Sequence, residues 1–109
     1  MTEERPQSMI EFLYQDEWWQ DRNGQWWDPR RMDLAYATNL RAYLLRHAPS
    51  AHLAALSSML GFQNTLNGEA AIDSMEMEIA RHEDTEPMEW MLSTPLVQAL
   101  DQRIAHLSR

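Results

Sequence analysis

Histidine, serine and carboxylate side chains could support acid–base, nucleophilic or metal chemistry, so their spacing is the first test of function. His47 and His52 lie five positions apart, which is not the i, i+4 spacing of a helical metal-ligand pair. We interpret His82, followed by Glu83 and Asp84, as a solvated helix end rather than a metal site. The serines fit no nucleophile motif, and the isolated glycines form no phosphate-binding loop. We therefore predict no enzyme, no catalytic or metal-binding residues and no cofactor.

Tryptophan gives the strongest signal in the chain. Four of the five tryptophans form the adjacent pairs Trp18-Trp19 and Trp26-Trp27, on either side of an Asn-Gly step. Asn-Gly between aromatic runs is typical of a β-hairpin, since both residues tolerate positive φ. We therefore predict a hairpin over 17–28. Because side chains alternate along a strand, each tryptophan pair is divided between the two faces of the ribbon.

The length of the hairpin loop decides which tryptophans share a face. A two-residue loop pairs Trp18 with Trp27, and a three-residue loop pairs Trp19 with Trp27; the remaining two share the opposite face in each case. Helices can cover one face. We predict that the outward pair, with Arg22 in the turn, binds a protein partner. An exposed tryptophan pair is costly on a monomer, and tryptophan is common at binding hot spots.

A second hypothesis is that the tryptophans stack on a small, nucleotide-like ligand. Such a site needs a cation nearby, and Arg22, Arg30 and Arg31 are the candidates beside the hairpin. A third possibility is that all four tryptophans belong to the core, which makes the protein a structural component.

Charge narrows the choice of partner. The 109 residues carry a formal net charge of -8. Segment 69–89 is strongly acidic, with eight carboxylates and one arginine. We predict a secondary contact surface there, formed by Glu76, Glu83, Asp84 and Glu86. An acidic chain without a basic stripe is a poor candidate for binding a phosphate backbone, so nucleic-acid partners are disfavoured.

Cysteine and hydropathy indicate the class of protein. Without cysteine, the chain has neither disulfides nor thiolate metal sites. Its apolar runs are far shorter than the roughly 20 residues that span a bilayer, and its polar, acidic N-terminus is unlike a secretory signal. We expect a cytoplasmic protein with no membrane association. Its partner is expected to be another protein or a second copy of the chain.

The elements that must position the hairpin are predicted to be helices, because apolar residues recur at helical spacing between proline, glycine and N-cap residues. We predict four helices, over 33–47, 51–60, 69–83 and 94–108, and disorder over 1–7. Asn39 is expected to act as a structural clasp that hydrogen-bonds to the hairpin backbone, and Gly24 as a structural residue of the turn. The expected fold is a single α+β domain, mainly α, with one N-terminal β-hairpin packed on about four short helices.

The limits of the first two helices follow from caps and breakers. Asp33 is an N-cap candidate for the first helix, and Asp28, with proline after it, is the alternative. Pro49 is expected to end that helix and Ser50 to cap the second, with Gly61 just past its end. The large apolar residues of the second helix are expected on one side, namely Leu53, Leu56, Met59 and Leu60.

The hairpin and the first helix together carry the run Trp19-x4-Gly24-x7-Met32-x6-Asn39-x6-Arg46. This run resembles a pattern found in small accessory proteins of bacteriophages and prophages. In that group a W-x-x-x-D-G hairpin leads to a methionine-capped helix with a central His-Leu-x-Asn. Residues 36–37 depart from the group, since they are Tyr-Ala in place of His-Leu. The resemblance implies a phage-type accessory protein, a class that is often non-catalytic. Our leading hypothesis is that the chain modulates or inhibits a host protein, or assembles with itself, through the tryptophan-rich hairpin.

Overall fold

The computed structural model describes residues 5–63, 65 and 67–109. Within them the chain forms six α-helices and one two-stranded antiparallel hairpin, which confirms the mainly helical α+β class. The strands are β1 (Trp19–Gln20) and β2 (Trp26–Trp27). The helices are α1 (Met9–Leu13), α2 (Leu34–Arg46), α3 (Ala48–Gln63), α4 (Glu69–Asp84), α5 (Pro87–Ser93) and α6 (Pro95–Leu107).

Two of these helices, α1 and α5, add to the four that the sequence predicts. Each is only one or two turns long, too short for a helical repeat of apolar residues to be recognised. The predicted disorder over 1–7 falls mostly outside the described residues. α1 itself begins with a capping box, in which Ser8 and Glu11 bond each other's backbone N–H groups.

The hairpin has the three-residue loop. Trp19 lies opposite Trp27, so these two side chains share a face. The Gly24 N–H donates to the Asp21 carbonyl at 3.0 Å, and Gly24 has a φ of 82°. This is a type I turn followed by a glycine in the left-handed region. Asn23 keeps a negative φ, so only the glycine of the Asn-Gly step supplies the special backbone conformation.

Both N-cap candidates ahead of α2 are used. Asp28 accepts a hydrogen bond from the Arg30 N–H at 3.0 Å and caps a single turn of 3-10 helix, Pro29–Arg31. Asp33 accepts one from the Tyr36 N–H at 2.7 Å and caps α2. The chain therefore turns twice, at two separate caps, between the hairpin and the helix on which it packs.

Helix α3 begins earlier and ends later than the sequence predicts. Pro49 does not separate two helices but lies in the first turn of α3, where its missing N–H costs no hydrogen bond. Ser50 is consequently inside the helix and is not its N-cap. Gly61 also lies inside α3 rather than past its end, because a glycine can stay in a helix at a cost of only about 1 kcal/mol.

The core forms where α1, α2, α3, α5 and α6 meet. α2 and α6 lie side by side and are joined by the ion pair of Arg41 with Asp101. The Arg103 guanidinium of α6 donates to the Met32 carbonyl at 2.8 Å, which ties α6 to the segment before α2. The largest fully buried side chains are Leu13, Met32, Leu44, Met91, Leu96 and Leu100.

Helix α3 buries only small side chains and exposes several of its large ones. Its buried residues are all alanines, Ala48, Ala51 and Ala55. Leu53 is 63% exposed and Leu60 is 44% exposed. The four large apolar residues expected on one side are therefore divided: Leu53 and Leu60 face solvent, whereas Leu56 and Met59 are half-buried. Small side chains at a spacing of three and four let neighbouring helices approach α3 closely.

The molecule is flat and open for its length. Its extents are 48 × 37 × 22 Å and its radius of gyration is 15.6 Å, against about 13 Å for a compact chain of this length. Its accessible surface is 7500 Å², about a fifth larger than the roughly 6,300 Å² expected for a compact monomer of this mass. The excess surface includes the exposed leucines of α3.

Replacing Gly24 by alanine should lower the free energy of unfolding by about 1 kcal/mol, because any L-residue there must adopt the left-handed conformation. Crowding adds little, since an added Cβ would meet only Gln20 Nε2 at 3.8 Å. Gly61→Ala is the matched control. Its added Cβ meets no described atom within 4 Å, and alanine favours the helix by about 0.5–1 kcal/mol. Urea denaturation followed by tryptophan fluorescence measures both; effects of the same sign would contradict the assigned turn.

Candidate functional site

The inward face of the hairpin belongs to the core. Trp19 is buried and packs on Phe12, with ring centroids 5.3 Å apart. Trp27 stacks on Tyr36 of α2, with centroids 4.2 Å apart and an angle of 28° between the planes. Burial, followed by the nearby Asp21 carboxylate, raises the pKa of Tyr36. This face therefore packs mainly on the core, and Trp27 remains half-buried.

The outward face of the hairpin is covered in part by the N-terminal segment. Trp18 and Trp26 meet edge to face, with centroids 5.9 Å apart. The Arg5 guanidinium lies over both rings, 4.3 Å and 4.9 Å from their centroids, as in a cation–π contact. Both tryptophans are half-buried. Their predicted role in partner binding is untested and stays a prediction, as does that of Arg22, which is exposed in the turn.

Asp21 organises the hairpin loop. One carboxylate oxygen accepts from the N–H groups of Asn23 at 2.8 Å and Gln25 at 3.0 Å, and the other accepts from Trp27 Nε1 at 3.0 Å. The hydrogen bond from Trp27 is the main reason that the pKa of Asp21 lies below its usual value. Desolvation opposes this shift, and the two backbone hydrogen bonds reinforce it. A single side chain thus fixes the loop and the orientation of an indole.

Gln15 joins α1 to the hairpin with four hydrogen bonds. Its Nε2 donates to the carbonyls of Phe12 at 2.7 Å and Trp18 at 2.8 Å. Its Oε1 accepts from the N–H groups of Glu17 at 3.0 Å and Trp18 at 2.8 Å. No sequence pattern marks this residue, because one glutamine in a connecting segment belongs to no turn or cap motif.

A cleft of about 420 Å³ lies between the N-terminal segment, the hairpin and α2. This volume falls in the range of small-ligand sites. Arg22 is the charged group that remains to meet a ligand, because it forms no ion pair with a described residue and the Asp21 oxygens are already bonded. The buried part of the lining is Phe12, Trp19 and Leu40, and the more exposed part includes Gln20, Arg22 and Tyr43.

His52 and His82 form a clasp between α3 and α4. Their rings stack 3.8 Å apart, nearly parallel. Nε2 of His52 lies 2.8 Å from the His82 carbonyl oxygen, and Nε2 of His82 lies 2.7 Å from the His52 carbonyl oxygen. Because a carbonyl only accepts, both rings donate from Nε2. The edges of both rings meet Trp90, with centroids 5.5 Å and 5.3 Å away.

The clasp corrects the interpretation of His82 as a solvated helix end. The residue is buried, 5% exposed, because its helix turns this side chain toward α3 rather than toward solvent. The hydrogen bonds occupy Nε2 of both rings. Among the residues that the structure describes, no three or more His, Cys, Asp or Glu side chains are grouped to hold a metal ion.

Asn39 does not form the predicted clasp. Its side chain is exposed and makes no hydrogen bond to a described residue. The reason is the face that α2 buries, which consists of Ala37, Leu40 and Leu44. A residue next to Leu40 in sequence is turned about 100° around the helix from that face.

The predicted acidic surface is solvent-exposed. The residues expected to form it, Glu76, Glu83, Asp84 and Glu86, are all exposed. Arg81 pairs with Glu78 at 3.1 Å and is the only arginine of segment 69–89. The outer surface of α4 therefore keeps a strong excess of negative charge.

An apolar groove lies between α1 and α4, with α3 as its floor. Its volume is about 230 Å³. Tyr14, at the end of α1, is 49% exposed and Phe62 is 56% exposed, so apolar surface extends beyond the groove. We call it the α1–α4 groove and define it by its lining, Ile10, Tyr14, Ala55, Ser58, Met59, Phe62 and Met75.

Comparisons with known proteins found no similarity from which a function could be inferred. No protein-family model matches the chain, and no curated protein or solved structure is significantly similar to it. In the described part of the chain, no helix has both the length and the apolar character needed to cross a membrane.

Acid should loosen the hairpin loop through Asp21. Because its pKa is lower in the folded protein than the usual 3.8, the ionised carboxylate stabilises the folded state above about pH 4, and this contribution is lost as the pH falls through the folded-state pKa. The native protein should therefore be more stable than Asp21→Asn at about pH 6, and the difference should shrink toward about pH 2. Urea denaturation at several pH values measures it. A difference that does not depend on pH would show that the charge is not involved.

Proposed function

We propose that the chain is a non-enzymatic binding protein that associates with another protein through the large apolar side chains of α3. The observation that carries this proposal is the inverted burial of α3, which buries alanines and leaves Leu53, Leu60 and Phe62 exposed. Fully burying one such side chain contributes roughly 1.5–3 kcal/mol. Leu53, Leu56 and Leu60, which we call the leucine stripe, have the spacing of a face that pairs with another helix.

The open shape of the molecule supports the same proposal. Its surface of 7500 Å² exceeds that of a compact chain by roughly 1,200 Å². A standard protein–protein interface removes about 800 Å² from each partner. The excess is thus of the size that one interface would cover.

The hairpin supports binding less directly than α3 does. A partner could reach Trp18 and Trp26 fully only by displacing Arg5, which lies over both rings. In the leucine stripe, Leu53 and Leu60 are already exposed and Leu56 is half-buried, so a partner could reach the two exposed leucines without displacing another residue. We therefore assign the primary contact to α3 and keep the outward hairpin face as a secondary one.

The proposal also includes the place where the chain acts and its role there. The resemblance of residues 19–46 to phage accessory proteins supports a chain that binds a host protein in the cytoplasm and modulates or inhibits it. Self-assembly through the same surface is the alternative within this class. Neither role requires a catalytic group or a cofactor.

The double variant Leu53→Gln/Leu60→Gln should lose association while its free energy of unfolding changes by less than about 1 kcal/mol, because both side chains are exposed. Affinity capture from the producing cell and sedimentation at rising concentration measure hetero- and self-association. Leu34→Gln is the matched control, since Leu34 is 42% exposed on α2. Association that survives in the double variant but is lost in Trp18→Ala/Trp26→Ala would assign the contact to the hairpin instead.

A second candidate function is binding of a small, nucleotide-like ligand, favoured by the cleft of about 420 Å³ beside Arg22. The ligand cannot lie between the hairpin tryptophans, because Trp18 and Trp26 already pack on each other and under Arg5. The other two candidate cations, Arg30 and Arg31, lie beside Asp28 and do not line the cleft. Of the three candidate arginines, only Arg22 could therefore bind a negatively charged group of a ligand in the cleft.

Thermal denaturation with a panel of nucleotides tests this second candidate. A nucleotide present at a hundred times its Kd should stabilise the folded protein by about 2.7 kcal/mol and raise Tm. Arg22→Gln should reduce the shift at least threefold, and Arg31→Gln, which lies outside the cleft, should leave it unchanged. No rise in Tm with any nucleotide would remove this candidate.

A further inference from the structure

We infer that the rings of Trp18 and Trp26, which we call the Trp18/Trp26 site, bind an arginine side chain of a partner protein in the place that Arg5 occupies. This inference rests on the proposed function, whose secondary contact is the outward face of the hairpin. It names the group that this face receives, and it does not use the exposed leucines of α3. The two contacts can therefore be tested separately.

The two indoles form two walls of an aromatic cage. Their planes lie at 82° to each other and their centroids are 5.9 Å apart. The Arg5 guanidinium lies 4.3 Å from the centroid of Trp18 and 4.9 Å from that of Trp26. Both distances are within the roughly 6 Å over which the face of an indole attracts a cation. The occupant that the structure shows is thus itself a cation, held by both rings.

Both walls of the site are held by contacts that do not involve Arg5. The Gln15 side chain donates to the Trp18 carbonyl at 2.8 Å and accepts from the Trp18 N–H at 2.8 Å. Trp26 lies in β2, and its ring packs on Phe12 of α1 with centroids 6.0 Å apart. The two rings therefore keep their arrangement when Arg5 leaves, and a ligand does not have to create the site.

Arg5 is an occupant that a ligand can replace. The residue is exposed and precedes α1, so its movement breaks no helix. With the described residues its guanidinium forms no ion pair. An exposed cation–π contact contributes a factor of only about two to five to an equilibrium for each ring. The open site is therefore an accessible state, and a competing arginine loses little affinity by having to displace Arg5.

The chemistry of the site favours arginine over the other cationic side chains. A guanidinium is planar, stacks on aromatic faces and is more weakly hydrated than the ammonium of lysine, so it gives up less water when it enters. The net charge of -8 favours a cationic group over an anionic one at long range. An arginine of a partner would thus repeat the contact that Arg5 makes within the chain.

The test uses the isotope-labelled full chain and three capped peptides of sequence Gly-Ser-Xaa-Pro-Gly-Ser, in which Xaa is arginine, lysine or citrulline. Citrulline has the shape of arginine but carries no charge. Chemical shifts of the indole N–H groups, measured by NMR during titration, report binding at each tryptophan. Trp27 and Trp90 are internal controls, because their indole N–H groups donate to Asp21 and to the Tyr14 hydroxyl.

Binding should be confined to the outward face of the hairpin. The arginine peptide should shift the indole signals of Trp18 and Trp26 and leave those of Trp27 and Trp90 unchanged. It should bind at least fivefold more tightly than the citrulline peptide, which lacks the charge. It should also bind at least twofold more tightly than the lysine peptide, whose ammonium is more strongly hydrated.

Two exposed arginines supply a matched pair of variants. Arg5→Ala empties the site and should strengthen binding of the arginine peptide at least threefold. Arg46→Ala removes the same charge from the last turn of α2 and should change binding less than twofold. Trp18→Ala removes one wall and should abolish binding. Circular dichroism and the indole signal of Trp27 check that each variant keeps its helices and its hairpin.

Several results would overturn the inference. They are no shift of the Trp18 and Trp26 signals with the arginine peptide in Arg5→Ala, equal binding of the arginine and citrulline peptides, and equal effects of Arg5→Ala and Arg46→Ala. A dimer of the native chain that Arg5→Ala abolishes would assign the site to a second copy of the chain instead of a partner protein.

The proposed function fails by a different measurement, the survival of association in Leu53→Gln/Leu60→Gln. If that variant loses its partner while the arginine peptide does not bind, only the inference about the Trp18/Trp26 site is wrong. If the peptide binds as expected while association survives in that variant, the assignment of the primary contact to α3 is wrong and the arginine site stands.

Discussion

The close packing of the alanine face of α3 is the contact on which the rest of the structure depends. α3 packs against α1, α2, α4 and α5, and Ala48, Ala51 and Ala55 let these neighbours approach its axis. Alanine itself removes little apolar area from water, so the burial comes from the neighbours, whose larger side chains fill the space beside it. Because α3 packs on its neighbours through its alanine face, the core forms on that side, and Leu53 and Leu60 remain exposed.

Helix α4 needs a different support, because it lies at the edge of the fold and packs mainly on α3. Only Ile79 and His82 are buried along its 16 residues. The reciprocal hydrogen bonds of His52 and His82, with Trp90 against both rings, hold the C-terminal half. The N-terminal half, which supplies Met75 to the α1–α4 groove, forms no comparable side-chain clasp with the residues that the structure describes.

Local chemistry explains which features could be predicted from the sequence. Caps and turn residues act over a few positions, so the caps Asp28 and Asp33 and the turn at Gly24 could all be predicted. The two hairpin registers were distinguishable only by loop length, which the Asn-Gly step does not determine. The buried face of α3 could not be predicted, because apolar periodicity favours leucine over alanine. The clasp joins residues 30 positions apart, and only the tertiary fold brings them together.

The tryptophans illustrate why a strong sequence signal need not mark the binding surface. Strands of two residues cannot stand alone, so the hairpin needs side chains to hold it. Trp27 packs on α2, Trp19 packs on α1 through Phe12, and Arg5 covers part of the outer face. The apolar area of the tryptophans is thus largely used in folding. What remains available for a partner is exposed apolar surface, and among the described elements α3 contributes the most large exposed side chains, Leu53, Leu60 and Phe62.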